Sequence, residues 1–419
     1  MDQQLKKNTV SLTLLQIGQY VVPLIILPYI TRVLGAEGFG QFGFAVAFTM
    51  YFVLVVEWGF NLSATRDVSV NRSDRTARSV IFWETLVARA GLTLVSVLAI
   101  SVLVVLVPKL NALSTLLWLG VMQVLAATLS TAFYYQGIEK MGAMALINLG
   151  IRLFSIPLMV VFVREPDQVG LAFAIQTACF LAASLVNLGL LLRSGEIVWV
   201  CPRLGGSWKS WLSSLPLFLS YAGTSLYTNS NVIFLGFVAS EAAVGYFVAG
   251  FTLVKAVVGL SGPFAQAVFP RASLVLSQDP SGSAAFLKKM LRWQGLLGLG
   301  LSLGLLMLLP WGVTWFYGQA FEETVRVVAW LSALPLLVCV ASVLGMQTLV
   351  PLGQGKWFSG VLLSCGVLNC VLLFGLGYLW GATGAAIAVL ITECVIMIGM
   401  ALGVKRFAPD IWREFSRLS

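Results

Sequence analysis

The chain has 419 residues, 59% of them hydrophobic and only 10% charged, and its formal net charge is +9. A soluble domain carries about a quarter charged residues, so a water-soluble globular fold is excluded. The basic excess is scattered through short polar segments, which argues against a nucleic-acid partner and points to the topology signals of a membrane protein.

The first apolar run, 9–33, follows Lys6 and Lys7. It is too long for a signal-peptide core and no small-residue cleavage site follows it, so it is expected to persist as an uncleaved helix. Eleven more runs lie at 40–62, 79–107, 112–134, 142–163, 169–192, 211–238, 242–268, 290–316, 324–350, 357–379 and 382–403. Each meets the roughly 20 mostly apolar residues that an α-helix needs to cross a bilayer. The longest polar gap follows Gly195 and holds Pro202, Gly205, Gly206 and Ser207. The expected fold is therefore an all-α polytopic membrane protein with twelve transmembrane helices in two six-helix lobes. Its parts are an N-terminal lobe over 1–195, a cytoplasmic linker over 196–210, a C-terminal lobe over 211–403 and a basic cytoplasmic tail over 404–419.

Orientation follows from the loops. With a cytoplasmic N-terminus, nineteen basic residues fall on inner segments, among them Arg66, Arg72, Arg75, Arg78, Lys140, Arg193, Lys288 and Lys405, against Arg32, Lys109, Arg164 and Arg326 outside. That bias holds loop by loop and puts both termini in the cytoplasm. A weak internal repeat accompanies it. A shift of 205 residues lays Gly40-Gln41-Phe42 on Gly245-Tyr246-Phe247 and Arg66 on Arg271. The fourth and tenth runs end alike, with Gln136-Gly137 before Lys140 and Gln354-Gly355 before Lys356. Chance similarity in an apolar sequence is the competing explanation. An even helix count per half gives both halves one topology, so the expected relation is a pseudo-two-fold axis along the membrane normal, which suits alternating access.

Charges inside apolar runs are disfavoured by at least about 2.5 kcal/mol on insertion scales, so each is a functional candidate. Arg89 in the third run, Arg152 in the fifth and Lys255 in the eighth fall near mid-span, roughly 15 Å deep at 1.5 Å per residue. Guanidinium groups match phosphate bidentately and an ammonium adds a point charge. A wet cavity lined by these cations would take a phosphate-bearing substrate, and Arg32 stands at the outer end of the first run. The bland alternative is structural pairing with Glu57, Glu84 or Glu393. Glu57 and Glu393 are also the candidates for ion coupling.

The first run carries Pro23 and Pro28 with Gln16, Gln19 and Tyr20 below them, and the seventh carries Tyr221, Ser225, Tyr227, Thr228, Asn229, Ser230 and Asn231. Stretches this polar are not expected to face lipid. Gln16, Tyr20, Tyr227, Asn229 and Asn231 are read as cavity lining, with interhelical hydrogen bonding as the alternative. The chain holds no histidine, no P-loop and no metal-spaced carboxylates. Its six cysteines lack C-x-x-C spacing and read as small core residues. No extramembrane segment is long enough for an ATPase or transferase domain. A non-enzymatic transporter without cofactor or metal is expected, with a proton or sodium gradient as the candidate driving force.

Four motifs carry a family resemblance over nearly the whole length. They are Leu34-Gly35-Ala36-Glu37-Gly38-Phe39-Gly40, Trp58-Gly59-Phe60-Asn61-Leu62-Ser63-Ala64-Thr65-Arg66, Tyr134-Tyr135-Gln136-Gly137-Ile138-Glu139-Lys140-Met141 and Phe269-Pro270-Arg271. With these the chain resembles Wzx-type O-antigen and exopolysaccharide flippases of the multidrug/oligosaccharidyl-lipid/polysaccharide exporter superfamily. The resemblance implies two six-helix lobes around a cationic cavity in the bacterial cytoplasmic (inner) membrane. It implies movement of an undecaprenyl-diphosphate-linked oligosaccharide, an O-antigen (lipopolysaccharide) or exopolysaccharide repeat unit, from inner to outer leaflet. It further implies the lipid bilayer, a polysaccharide polymerase and a chain-length regulator as partners. The competing readings are a cation-coupled multidrug exporter of the same superfamily, a lipid II flippase and a membrane polysaccharide polymerase. Drug exporters favour acidic cavities, lipid II flippases generally have two more helices, and polymerases need a larger loop.

Overall fold

The computed structural model describes residues 3–202, 204–278 and 280–416. Among them the fold is all-helical, and the chain divides into two compact units, 1–222 and 223–419.

In the first unit the elements run α1 (Gln3–Glu57), α2 (Phe60–Val70), α3 (Arg75–Leu106), α4 (Pro108–Ala112), α5 (Ser114–Thr128), α6 (Ala132–Gly137), α7 (Met141–Phe162) and α8 (Val169–Arg193). The first part of α9 (Leu204–Val238) completes the unit. α1 is two helices joined across a kink at Gly35, whose φ of 68° and ψ of −177° lie where glycine alone is at ease. Asp74 starts α3 as an N-cap, its carboxylate accepting from the Thr76 and Ala77 N–H groups at 2.9 and 3.0 Å. Val56, Phe60, Val68, Phe82, Leu92, Val124 and Tyr134 form one buried cluster, so α1, α2, α3, α5 and α6 share a core.

The second unit continues with the rest of α9, α10 (Glu241–Gly259), α11 (Gly262–Gln278), α12 (Pro280–Tyr317), a 3₁₀ turn Gln319–Phe321, α13 (Glu322–Leu331) and α14 (Leu334–Leu344). A π-helical segment Gly345–Leu349, α15 (Gly355–Phe407) and α16 (Pro409–Ser416) follow. α15 also contains two helices, meeting at Gly381 (φ 55°, ψ −129°). Ser240 caps α10, accepting from Ala243 N–H at 3.3 Å. Ala272, Leu287, Leu344, Leu349, Cys365, Ile396 and Met400 form the buried cluster that ties α11, α12, α14 and α15 together.

Nine helices among the described residues are long and apolar enough to cross a membrane. Their outer faces carry large apolar side chains such as Val105, Met307, Trp311 and Trp315, each more than 75% exposed. Water would not tolerate a surface of that kind and lipid does. Several apolar runs that read as single helices are interrupted. The fourth breaks at 129–131 between α5 and α6, the eighth at 260–261 between α10 and α11, and the tenth changes to π geometry at 345–349. Hydropathy is blind to such breaks, because the residues at them remain apolar or small.

Candidate functional site

Among the described residues of the first unit Arg89 is the largest fully buried side chain, 1% exposed. One guanidinium nitrogen donates to the carbonyls of Ala127 (3.3 Å) and Ser130 (2.9 Å), and the other to Asn61 Oδ1 (3.1 Å). The cation thus closes the C-terminal end of α5, where free carbonyls and the helix dipole both attract positive charge. The Phe133 and Phe60 rings lie 4.9 and 5.9 Å from it. Glu57, half-buried at the end of α1, lies within electrostatic reach. Arg89 Nε is buried without a hydrogen-bond partner. Glu84 does not serve Arg89: its carboxylate packs against Gly206 in the first turn of α9, where a helix N-terminus favours negative charge.

Asn61 is held by the turn between α1 and α2. Trp58 there has a φ of 44° and Gly59 a φ of 78°. The Trp58 indole donates to Trp211 O at 3.0 Å and stacks on Phe218 at 4.0 Å. Trp211 Nε1 in turn donates to Ala88 O at 3.1 Å, and the Ser63 and Ser214 hydroxyls are bonded at 2.7 Å. The first part of α9 is therefore seated on α2 and α3.

Arg152 stands between α7 and α8, half-buried, its guanidinium 5.2 Å from the Phe180 ring. No salt bridge joins it to a carboxylate among the described residues. Four residues before it, a turn nearer the start of α7, Asn148 accepts from Asn187 Nδ2 at 2.9 Å. Arg32 is exposed near the Gly35 kink.

The second unit holds a cavity of about 130 Å³ lined by Asn231, Phe251, Lys255, Val258, Leu334, Val338, Asn369, Val389 and Glu393. One ammonium, one carboxylate and two carboxamides thus open onto a space whose other walls are apolar. Lys255 Nζ lies 4.5 Å from the Phe251 ring centre. Asn369 Nδ2 donates to Asn231 Oδ1 at 2.6 Å and its Oδ1 accepts from Thr392 at 3.1 Å, so α9 and α15 are tied at the cavity wall. Lys255, Asn231 and Glu393 are brought together here from three separate helices. Asn229 is half-buried and donates to Ser225 at 3.2 Å. Gln16, Tyr20 and Tyr227 lie outside the described side chains. Asn369 and Phe251 are cavity residues that the sequence reading missed. A polar asparagine amid the apolar eleventh run was the available signal.

Outside the apolar spans, Glu196 joins Lys140 Nζ (2.5 Å) and Arg78 Nη1 (3.3 Å). The hydrogen bond from Lys140, then the nearby charges, hold its carboxyl below the usual glutamate range against an opposing effect of burial. Tyr134 donates to Glu196 O at 3.0 Å, and Trp83 donates to Val198 O at 3.0 Å. The non-helical stretch after α8 is thereby fastened to α3 and to α6.

Comparison with known proteins gives a consistent result. The family described as "Polysaccharide biosynthesis protein" matches residues 5–275. A protein of Escherichia coli (strain K12) named "Putative O-antigen transporter" is 32% identical over 401 residues, covering 96% of this chain and 97% of its own. A Shigella dysenteriae protein of the same name is 29% identical over 401 residues, 96% of this chain and 100% of its own. A solved structure of lipid II flippase MurJ, in an inward closed conformation, matches with a TM-score of 0.72 at 13% identity, over 97% of this chain and 90% of that one. An inward-facing multidrug resistance MATE family transporter of the MOP superfamily matches with a TM-score of 0.62 at 11% identity, over 98% and 100%. At these identities the structural likeness speaks for the fold. The chain is thus a multi-pass membrane protein and a transporter rather than an enzyme, and it belongs to the polysaccharide biosynthesis protein family, among the Wzx-type flippases.

Proposed function

We propose that this protein moves an undecaprenyl-diphosphate-linked oligosaccharide from the inner to the outer leaflet of the cytoplasmic membrane by alternating access. The observation that carries the reading is the cavity of the second unit, where Lys255, Glu393 and two carboxamides meet apolar walls. An ammonium suits a diphosphate and carboxamides suit sugar hydroxyls, while the apolar wall tolerates a polyprenyl chain. In this reading Lys255, Arg152 and Arg32 meet the diphosphate in turn. Arg89 serves the fold of the first unit, since both terminal nitrogens are already engaged, one by two carbonyls and the other by Asn61. Glu393, and Glu57 less directly, are the groups through which a proton or sodium gradient would act. A polysaccharide polymerase and a chain-length regulator would take the product onward.

The proposed topology is twelve crossings in two six-helix lobes with both termini cytoplasmic. Two of the nine long apolar stretches, Leu24–Val70 and Gly355–Phe407, contain 47 and 53 residues. At about 1.5 Å per residue each is roughly twice the hydrocarbon thickness of about 30 Å. Gly35 divides the first into two long helical parts and Gly381 the second, which supports two crossings apiece. α9 supplies the remaining one.

Glu393 favours a second reading, export of an organic cation. Both are tested by following a fluorescent undecaprenyl-diphosphate oligosaccharide across proteoliposome membranes. Wild type is expected to move it, Lys255→Ala to slow it by about tenfold or more, and Arg152→Ala to slow it less. Cation efflux without lipid movement would replace the flippase reading by the exporter.

A further inference from the structure

Both units interrupt helices inside their apolar runs. In the first, α1 gives way to α2 at Trp58 and Gly59, and α5 to α6 at 129–131. In the second, α10 gives way to α11 at 260–261, and α14 runs into the π segment Gly345–Leu349. The same shift of 205 residues that aligns Gly40 with Gly245 carries Arg89 of α3 onto Gln294 of α12. Burial follows that register: Phe82, Arg89, Ile100 and Val104 are buried in α3, as Leu287, Gln294, Leu305 and Leu309 are in α12.

The equivalent residues do equivalent work. Arg89 holds the carbonyls at the break after α5. Gln294 holds the π segment: its Nε2 donates to Gln347 Oε1 at 3.0 Å, and Gln347 Nε2 donates back to Gln294 Oε1 at 3.2 Å. Both side chains are buried. The wide turn is visible in its bonds, since Val350 N–H donates to Gly345 O at 3.1 Å and the Thr348 hydroxyl to Val343 O at 2.7 Å, each spanning a π rather than an α step. A π turn holds one residue more than an α turn. Its loss would rotate everything beyond it by roughly 100°. Gln347 would then leave Gln294, and a buried carboxamide without a partner is strongly disfavoured.

We propose that Gln294 and Gln347 are positioning residues for transport, holding the π segment in one of two registers, and that this segment is a joint whose register changes during the cycle. Arg89 is the charged counterpart at the break of the first unit. Nothing in this requires contact with substrate, although it rests on the flippase reading for its transport readout.

The test uses full-length protein in proteoliposomes carrying the fluorescent undecaprenyl-diphosphate oligosaccharide, with variants Q294L, Q347L and the double variant. Each single variant leaves one amide stranded and is expected to lower the unfolding midpoint, whereas the double variant recovers it. Recovered stability with flipping still slowed about tenfold is the expected result, because a packing role would be restored and a positioning role would not. Wild-type flipping by the stable double variant would overturn the joint. Should the leucine variants misfold, Gln294→Cys with Gln347→Cys, in a background lacking the six native cysteines, decides the matter. Bridging the two thiols with a short bis-methanethiosulfonate, which spans the gap a direct disulfide cannot, is expected to arrest flipping and reduction to restore it, and undiminished flipping while cross-linked would overturn the proposal. Failure of wild type to flip the probe would defeat the flippase reading instead. Amide exchange then reads the joint alone, and protection of 345–354 in wild type as strong as that of α14 would overturn it.

Discussion

Arg89 illustrates how much a single buried cation can decide. Its guanidinium answers two carbonyls and one carboxamide at once, in surroundings where water is scarce. Arg89→Leu strands those acceptors, so a loss of roughly 2–4 kcal/mol is expected. Arg89→Lys should recover part of it, because an ammonium cannot reach all three acceptors in the fork geometry. The apparent unfolding midpoint in detergent checks both variants. Glu196 is the half-buried contrast. Its carboxyl is held below the ordinary glutamate range, so its folded pKa is depressed and its contribution is complete above the unfolded value of about 4.3. That contribution fades as pH falls through the folded value. Glu196→Gln should lower the midpoint only slightly near neutrality, by about 1 kcal/mol or less, and flatten the midpoint's fall in acid; an unchanged acid limb would count against the argument.

Sequence depth alone placed Arg89, Arg152 and Lys255 in apolar spans, and the structure finds each of them on a helix there. What depth could not tell was the partner of each. The carbonyls that hold Arg89 come from residues 38 and 41 positions away and are free only because α5 stops short. No periodicity reports a break made of Leu129, Ser130 and Thr131. Lys255 and Glu393 are likewise separated by most of the second unit's sequence, so their shared cavity could not be read from spacing.

At the scale of elements, the two long helical stretches turn on glycines whose torsions exclude other residues. Gly35→Ala and Gly381→Ala are each expected to destabilise by about 1–3 kcal/mol, although a methyl at Gly35 would meet no atom within 4 Å. The strain is in the backbone and not in the packing. Gly150→Ala, in the body of α7 and equally unobstructed, should be neutral or stabilise by up to about 1 kcal/mol. Thermal unfolding of the three variants separates conformational strain from lost space. The resemblance motifs contain Gly35 and Gly59, so the kink and the turn were present in the sequence as residues, though not as geometry.

The whole molecule presents a broad apolar exterior, with Trp311, Trp315, Tyr378 and Trp380 among its exposed aromatics. Amphipathic rings of this kind settle at the membrane–water boundary. Orientation is the property left to chemistry. Cys201 is exposed in the stretch between α8 and α9. In a variant that keeps only this cysteine, an impermeant maleimide is expected to label inverted vesicles and spare intact cells. Labelling of intact cells would place that stretch outside and reverse the topology.

The seating of the first part of α9 has a consequence for how the polypeptide can be made. Trp211, Ser214 and Phe218 grip α3, α2 and the Trp58 turn before α2 through side chains, and Glu196 and Val198 are fastened independently on the other side of Cys201. The peptide bond between Cys201 and Pro202 therefore lies between two separately anchored stretches and bears none of the load. Two co-expressed fragments divided at that bond should find one another in the membrane, co-purify through a tag on either, and flip lipid as the intact chain does. A division at Ala222, inside a continuous helix, should not.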